Sequence, residues 1–135
     1  MTRFMIAALA MLPIALCAQA PPGVGFPAKP IRVVVVQVAG GTTDVVARTL
    51  GEKMSQSLGQ PWLVENRTGA SGMIGAEMVA RAAPDGHTVL LASSTVLAYP
   101  ALFAKMSFDI AKDIAPVIWI ASSPNVLLIN SERGI

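Results

Sequence analysis

Cysteine and histidine each occur once in 135 residues, as Cys17 and His87. Counting alone excludes a Cys/His zinc cluster and a disulfide framework. Charge is also scarce: 10 Lys and Arg against 8 Asp and Glu leave a formal net charge of +2. The two signs are interspersed, so no basic block marks a nucleic-acid footprint. No internal repeat, low-complexity tract or paired carboxylates are present, and no glycine set has the Gly-x-Gly-x-x-Gly spacing. A body without thiols suits an oxidising compartment.

Apolar residues are abundant, at 53% of the chain, and 16 of the first 20 residues are among them. The remainder has an ordinary globular composition. Residues 1–20 hold one Arg (Arg3), an apolar run from Phe4 to Leu16, and then Ala18-Gln19-Ala20. A run of 13 residues falls short of the roughly 20 that cross a bilayer as a helix. This layout is that of a secretory signal peptide, with cleavage expected after Ala20 and the protein exported to the periplasm. An uncleaved anchor and acylation at Cys17 are the alternatives; length opposes the first, and the large Leu16 before the cysteine opposes the second.

Residues 21–29 carry three prolines and two glycines and are expected as an extended leader. Residues 31–38 are nearly continuously β-branched, as in a strand buried on both faces of a parallel sheet. Val46, Leu50, Met54 and Leu58 then trace an apolar stripe on a helix that Gly59-Gln60-Pro61 ends. Further strands are expected at 62–65, 88–92, 115–121 and 125–130. A second helix is expected at about 74–83, a short helical or irregular piece at 96–105, and a polar connection at 108–113. Trp62 and Trp119 read as core residues. Alternating strands and helices give an α/β fold with a mostly parallel sheet, with residues 30–135 as one lobe.

Such sheets bind ligands outside the carboxyl ends of their strands. At those ends the sequence turns to small residues with donor groups. The first loop holds Val38, Ala39, Gly40, Gly41, Thr42, Thr43 and Asp44, the second Gly69, Ala70, Ser71 and Gly72, and the third Ser93, Ser94 and Thr95. Backbone N–H groups and hydroxyls at a helix amino end make an anion site. The first loop lacks the Lys of a P-loop, so a nucleoside triphosphate is not expected. Simple turn formation by Gly40 and Gly41 is the competing explanation. Asp44 is expected to support its loop or cap the helix. Ser71 lacks a nucleophile-elbow context, and His87 reads as a solvated turn residue at the opposite edge. Arg67 reads as a solvated loop arginine, and Asn66-Arg67-Thr68 as a chance glycosylation pattern.

Several blocks are similar, in order and spacing, to the Bug family, the extracytoplasmic substrate-binding proteins of tripartite tricarboxylate transporters. They are Pro27-Ala28-Lys29-Pro30-Ile31-Arg32, Ala39-Gly40-Gly41-Thr42-Thr43-Asp44-Val45-Val46-Ala47-Arg48, Leu58-Gly59-Gln60-Pro61, Val64-Glu65-Asn66-Arg67, Gly69-Ala70-Ser71-Gly72, Ile74-Gly75-Ala76 and Ala83-Pro84-Asp85-Gly86-His87-Thr88. The resemblance implies a type II periplasmic-binding-protein fold, two α/β lobes closing on a small carboxylate, with no enzymatic step and no cofactor or metal. It implies the three loops above as ligand-binding residues and membrane permease subunits as partners. Two departures stand out: Gln37 replaces an aromatic residue usual in the family, and Thr95-Val96 stands where a glycine is common. Family members run to roughly twice this length, so the resemblance also implies a first lobe truncated before most of the second. Two other readings are a non-binding remnant of such a protein and a secreted α/β hydrolase using Ser71 or Ser93.

Overall fold

The computed structural model describes residues 25–124 and 126–128. The expected signal peptide therefore lies outside the described residues. Strand β1 (Ile31–Val35) is flanked by β2 (Trp62–Asn66) and β3 (Thr88–Leu91), in the order β2-β1-β3, and both pairings are parallel. Helix α1 (Thr42–Leu58) connects β1 to β2, and α2 (Met73–Ala80) connects β2 to β3. A 3-10 turn at Ala70–Gly72 precedes α2, and another at Ser94–Ala98 precedes the short α3 (Tyr99–Leu102); α4 (Ile110–Asp113) follows. No described helix is long and apolar enough to cross a membrane.

The β-branched run behaves as its composition requires, because side chains alternate faces along a strand. Ile31, Val33 and Val35 pack on one face with Ala47 of α1, joined by Leu58, Trp62, Val64, Val89 and Leu91. On the other face Val36 meets Ala76, Val96, Tyr99 and Phe108, with Leu90 and Ala92 against them. Val33, Val34 and Val35 have no exposed surface, and burying each contributes on the order of 2 kcal/mol. Arg32 and Glu65 tie β1 to β2 through two charge-assisted bonds of 2.7 and 2.8 Å.

Several expectations need correction. The strand ends at Val35, short of residue 38, and β3 ends at Leu91. The residues of α1 that bury fully are Asp44, Ala47 and Gly51, while Val46, Leu50 and Met54 are only half-buried. A strict four-residue spacing drifts around a helix of 3.6 residues per turn. Gly51 is where α1 and β2 approach: a Cβ there would meet Trp62 Cδ1 at 2.8 Å. Helix α2 stops at Ala80 rather than 83, and part of the expected polar connection is the helix α4.

No strand forms at 115–121, and 126–128, the described part of the run at 125–130, is not strand either. A β-prone run becomes a strand only where an edge pairs with it, and neither segment pairs with the sheet. Trp119 is accordingly 73% exposed, not a core residue. With Ile118 and Ile120 it borders a shallow groove of about 330 Å³ against Leu50, Met54 and Trp62.

At Gly75 helix α2 packs closely on the residues that follow β1 and β2, since a Cβ there would lie 2.8 Å from the Arg67 carbonyl oxygen and 2.9 Å from Val36 Cγ1. Backbone cannot yield as a flexible side chain can. Gly75→Val is expected to destabilise the chain by about 1–3 kcal/mol, read as a lower urea midpoint; an unchanged midpoint would show that α2 is free to shift.

Candidate functional site

Both neighbours of β1 run parallel to it. All three loops that follow these strands therefore leave the sheet at one edge, with strand axes about 4.8 Å apart. Val38, Ala39 and Gly40 are exposed in the first loop, Gly69, Ala70 and Ser71 in the second, and Ser94 and Thr95 in the third. Gly41, Thr43 and Ser93 are half-buried, Thr42 is exposed, and Asp44 and Gly72 are buried.

The first loop is closed by its own polar groups. Gly40 N–H donates to Asp44 Oδ2 at 2.8 Å, and Gly41 N–H donates to the Val38 carbonyl at 3.1 Å. Gly40 takes φ of +79°, which glycine adopts without strain. Arg48, one turn along α1, donates Nε to both Asp44 oxygens at 3.1 and 3.0 Å. Asn66, at the end of β2, donates Nδ2 to Asp44 Oδ1 (2.9 Å) and to the Gln37 carbonyl (3.1 Å), while its Oδ1 accepts from Arg48 (3.0 Å). Asp44 thus supports the loop, as its position at the helix start suggested. Gly41 at the cap position of α1 provides no side-chain cap. The first amides of this long helix therefore face the loop edge without a side-chain acceptor.

The second loop is held in an unusual backbone state. Ala70 and Ser71 have φ of +46° and +58°, costly for residues with a Cβ. Tyr99, fully buried, donates its hydroxyl to the Ser71 carbonyl at 2.6 Å and so fastens the second loop to the element that follows the third. A Cβ on Gly72 would lie 2.7 Å from that hydroxyl, so only glycine fits beneath it. In the third loop Ser93 Oγ donates to Thr95 Oγ1 at 3.2 Å.

Sequence reasoning did not find Asn66 or Tyr99 as bracing residues. Asn66 stood out as the start of a chance sequon and within the block Val64-Glu65-Asn66-Arg67, with no bracing role attached, and Tyr99 fell in a segment without periodicity. Arg67, read as a solvated arginine, is half-exposed and donates to Glu65 Oε2 at 3.2 and 3.0 Å. His87 is corrected more firmly: its side chain is 12% exposed, with Nδ1 3.0 Å from the Asp85 carbonyl and its ring 4.9 Å from that of Phe26. Neighbouring glycine and proline imply solvent, but the leader residue Phe26 covers the ring. His87 lies before the amino end of β3, whereas Ser71 and Ser93 lie at the carboxyl edge. The structure does not bring these serines and the histidine together as a nucleophile and its base.

The electrostatics follow from these bonds. Arg48, then the Gly40 N–H and Asn66, hold the Asp44 carboxyl well below the usual carboxylate range. Arg32, with Arg67, lowers Glu65 to about 2. Both folded values lie below the unfolded ones of roughly 4. The stability they contribute is therefore complete above pH 4 and lost as pH falls through the folded values. The melting midpoint is expected to fall from about pH 4 downward, with Glu65 giving way near pH 2 and Asp44 lower still. Asp44→Ala is expected to melt several degrees lower at pH 7 with a shallower acid decline; an unaltered acid profile would remove Asp44 from this role.

The comparisons with known proteins agree with this architecture. Residues 46–135 match the family described as the tripartite tricarboxylate transporter family receptor, TctC. The chain is 41% identical over 109 residues to the protein BugT of Bordetella pertussis, an alignment covering 79% of this chain and 33% of BugT. Among solved structures, MatC of Rhodopseudomonas palustris with bound malate is similar at 45% identity and a TM-score of 0.59, over 65% of this chain and 30% of that one. An R. palustris protein solved with adipate is similar at 34% identity and a TM-score of 0.60, over 64% and 29%. The chain spans about a third of the length of the curated relatives it matches. It belongs to the tripartite tricarboxylate transporter receptor family, whose members include the Bug proteins.

Proposed function

We propose that this chain carries the first-lobe half of a binding site for a small carboxylate, in an extracytoplasmic receptor that passes its ligand to membrane permease subunits. One observation carries the reading: three loops rich in N–H and hydroxyl donors share one sheet edge, and the amino end of α1 there has no side-chain cap. Asp44 is the buried acid beside this edge, and its oxygens already accept from Gly40, Arg48 and Asn66. An incoming carboxylate therefore meets dipoles and hydroxyls rather than an uncompensated negative charge. Thr42 and Thr43 would donate from the first loop, whose shape Gly40 and Gly41 fix by giving their own amides to Asp44 and the Val38 carbonyl; Ala70 and Ser71 would donate from the second, and Ser93, Ser94 and Thr95 from the third. Val38, Ala39, Gly69 and Gly72 would shape the floor and rim, and Asp44 would hold the first loop in position.

The two R. palustris structures hold malate and adipate, both dicarboxylates. No step of bond making or breaking is needed, and the separation of His87 from Ser71 and Ser93 fits a receptor rather than a hydrolase. The signal-peptide pattern at 1–20 and the family support an exported protein.

Binding to the folded state alone must raise its melting midpoint. The midpoint of the 135-residue chain, followed by tryptophan fluorescence, is expected to rise with millimolar malate or adipate and to stay fixed in sodium chloride of equal ionic strength. A midpoint that no carboxylate moves would contradict the reading.

A further inference from the structure

Each of the three loops is accompanied by one large aliphatic side chain left in solvent. Val38 lies in the first loop and is 67% exposed, Ile74 stands in the first turn of α2 and is 54% exposed, and Leu97, on the turn after the third loop, is 70% exposed. Two of them lie over the glycines of the donor loops. Ile74 Cδ1 is 2.7 Å from where a Cβ on Gly69 would be, and Val38 Cγ2 is 3.9 Å from one on Gly41. Hydrocarbon thus borders the first and second loops at their glycines.

The charges beside these loops are already committed. Arg48 serves Asp44 and Asn66, and Arg67 serves Glu65. What remains at the edge is the dipole of α1, equivalent to about half a positive charge, together with amides and hydroxyls. That complement suits one carboxylate with an apolar body attached. It is a poor match for charges or hydroxyls placed along that body, each of which would have to leave water beside Val38 or Ile74.

We propose that the acid taken by these loops has a hydrocarbon body, an unsubstituted aliphatic or aromatic carboxylate, in preference to a polyhydroxylated or tricarboxylic one. This rests on the reading of the loops as a carboxylate site and names its ligand class. Val38 and Ile74 are the residues that set the preference.

The test compares adipate with galactarate, the diacid of the same chain length bearing four hydroxyls, so that length and charge are held constant. Calorimetric titration of the 135-residue chain is expected to give adipate the tighter binding by at least about tenfold, since each buried methylene is worth roughly fourfold in affinity. In the double variant Val38→Ser, Ile74→Ser the ratio should fall close to one. Both side chains are exposed, and an unchanged circular dichroism spectrum and melting midpoint would confirm the fold. Galactarate binding as tightly as adipate, or a preference that survives both substitutions, would overturn the assignment while leaving the carboxylate site intact. Binding of neither acid, nor of malate, benzoate or citrate, would instead overturn the carboxylate reading and this one with it.

Discussion

Parallel pairing on both sides of β1 is the constraint on which the rest depends. A parallel neighbour must be reached by a crossover, so each strand is followed by a loop and a helix or turn, and all the loops emerge at the same edge. Here α1 and α2 are the crossovers between consecutive strands, and the loops before them and after β3 are short, with small residues at their helix ends. An antiparallel neighbour would have sent one of these loops to the opposite end of the sheet. The apolar continuity of β1 makes the arrangement stable, because both faces of its valine run are covered.

Within that frame, local polar bonds decide how the loops are held. A buried carboxylate is tolerated only when its charge is compensated and its lone pairs are used. Asp44 meets both conditions through Arg48, Gly40 and Asn66, and in doing so it ties the start of α1, the turn before it and the end of β2 into one unit. Tyr99 does the corresponding work between the second loop and α3 with a single short bond. The loops at this edge are thus held from beneath by bonds to buried neighbours.

Much of this was legible in the sequence where a local rule dominates. The valines of β1, the breaking of α1 at Gly59, the strands at Trp62 and Thr88, and the glycine-rich second loop follow from propensity and turn chemistry. The role of Asp44 followed from its position in the first turn of a helix. What escaped is what tertiary contacts decide. Tyr99 and Asn66 act on partners 28 and 22 residues away, respectively Ser71 and Asp44, and no local pattern announces such reach. The run at 115–121 has strand composition but no paired edge, so Trp119 lies in solvent. His87 has a turn's neighbours but is covered by Phe26, a residue of the expected leader.

The central claim is that a carboxylate is held by the backbone of the three carboxyl-edge loops. An amide-resolved nuclear magnetic resonance titration of the 135-residue chain with adipate tests it directly, because it reports which N–H groups feel the ligand. The account predicts saturable shifts concentrated in residues 40–44, 70–72 and 93–95, with the amino edge around Lys29, Asp85 and His87 unmoved. Shifts confined to that amino edge, or to the groove bordered by Leu50, Met54 and Trp119, would contradict it.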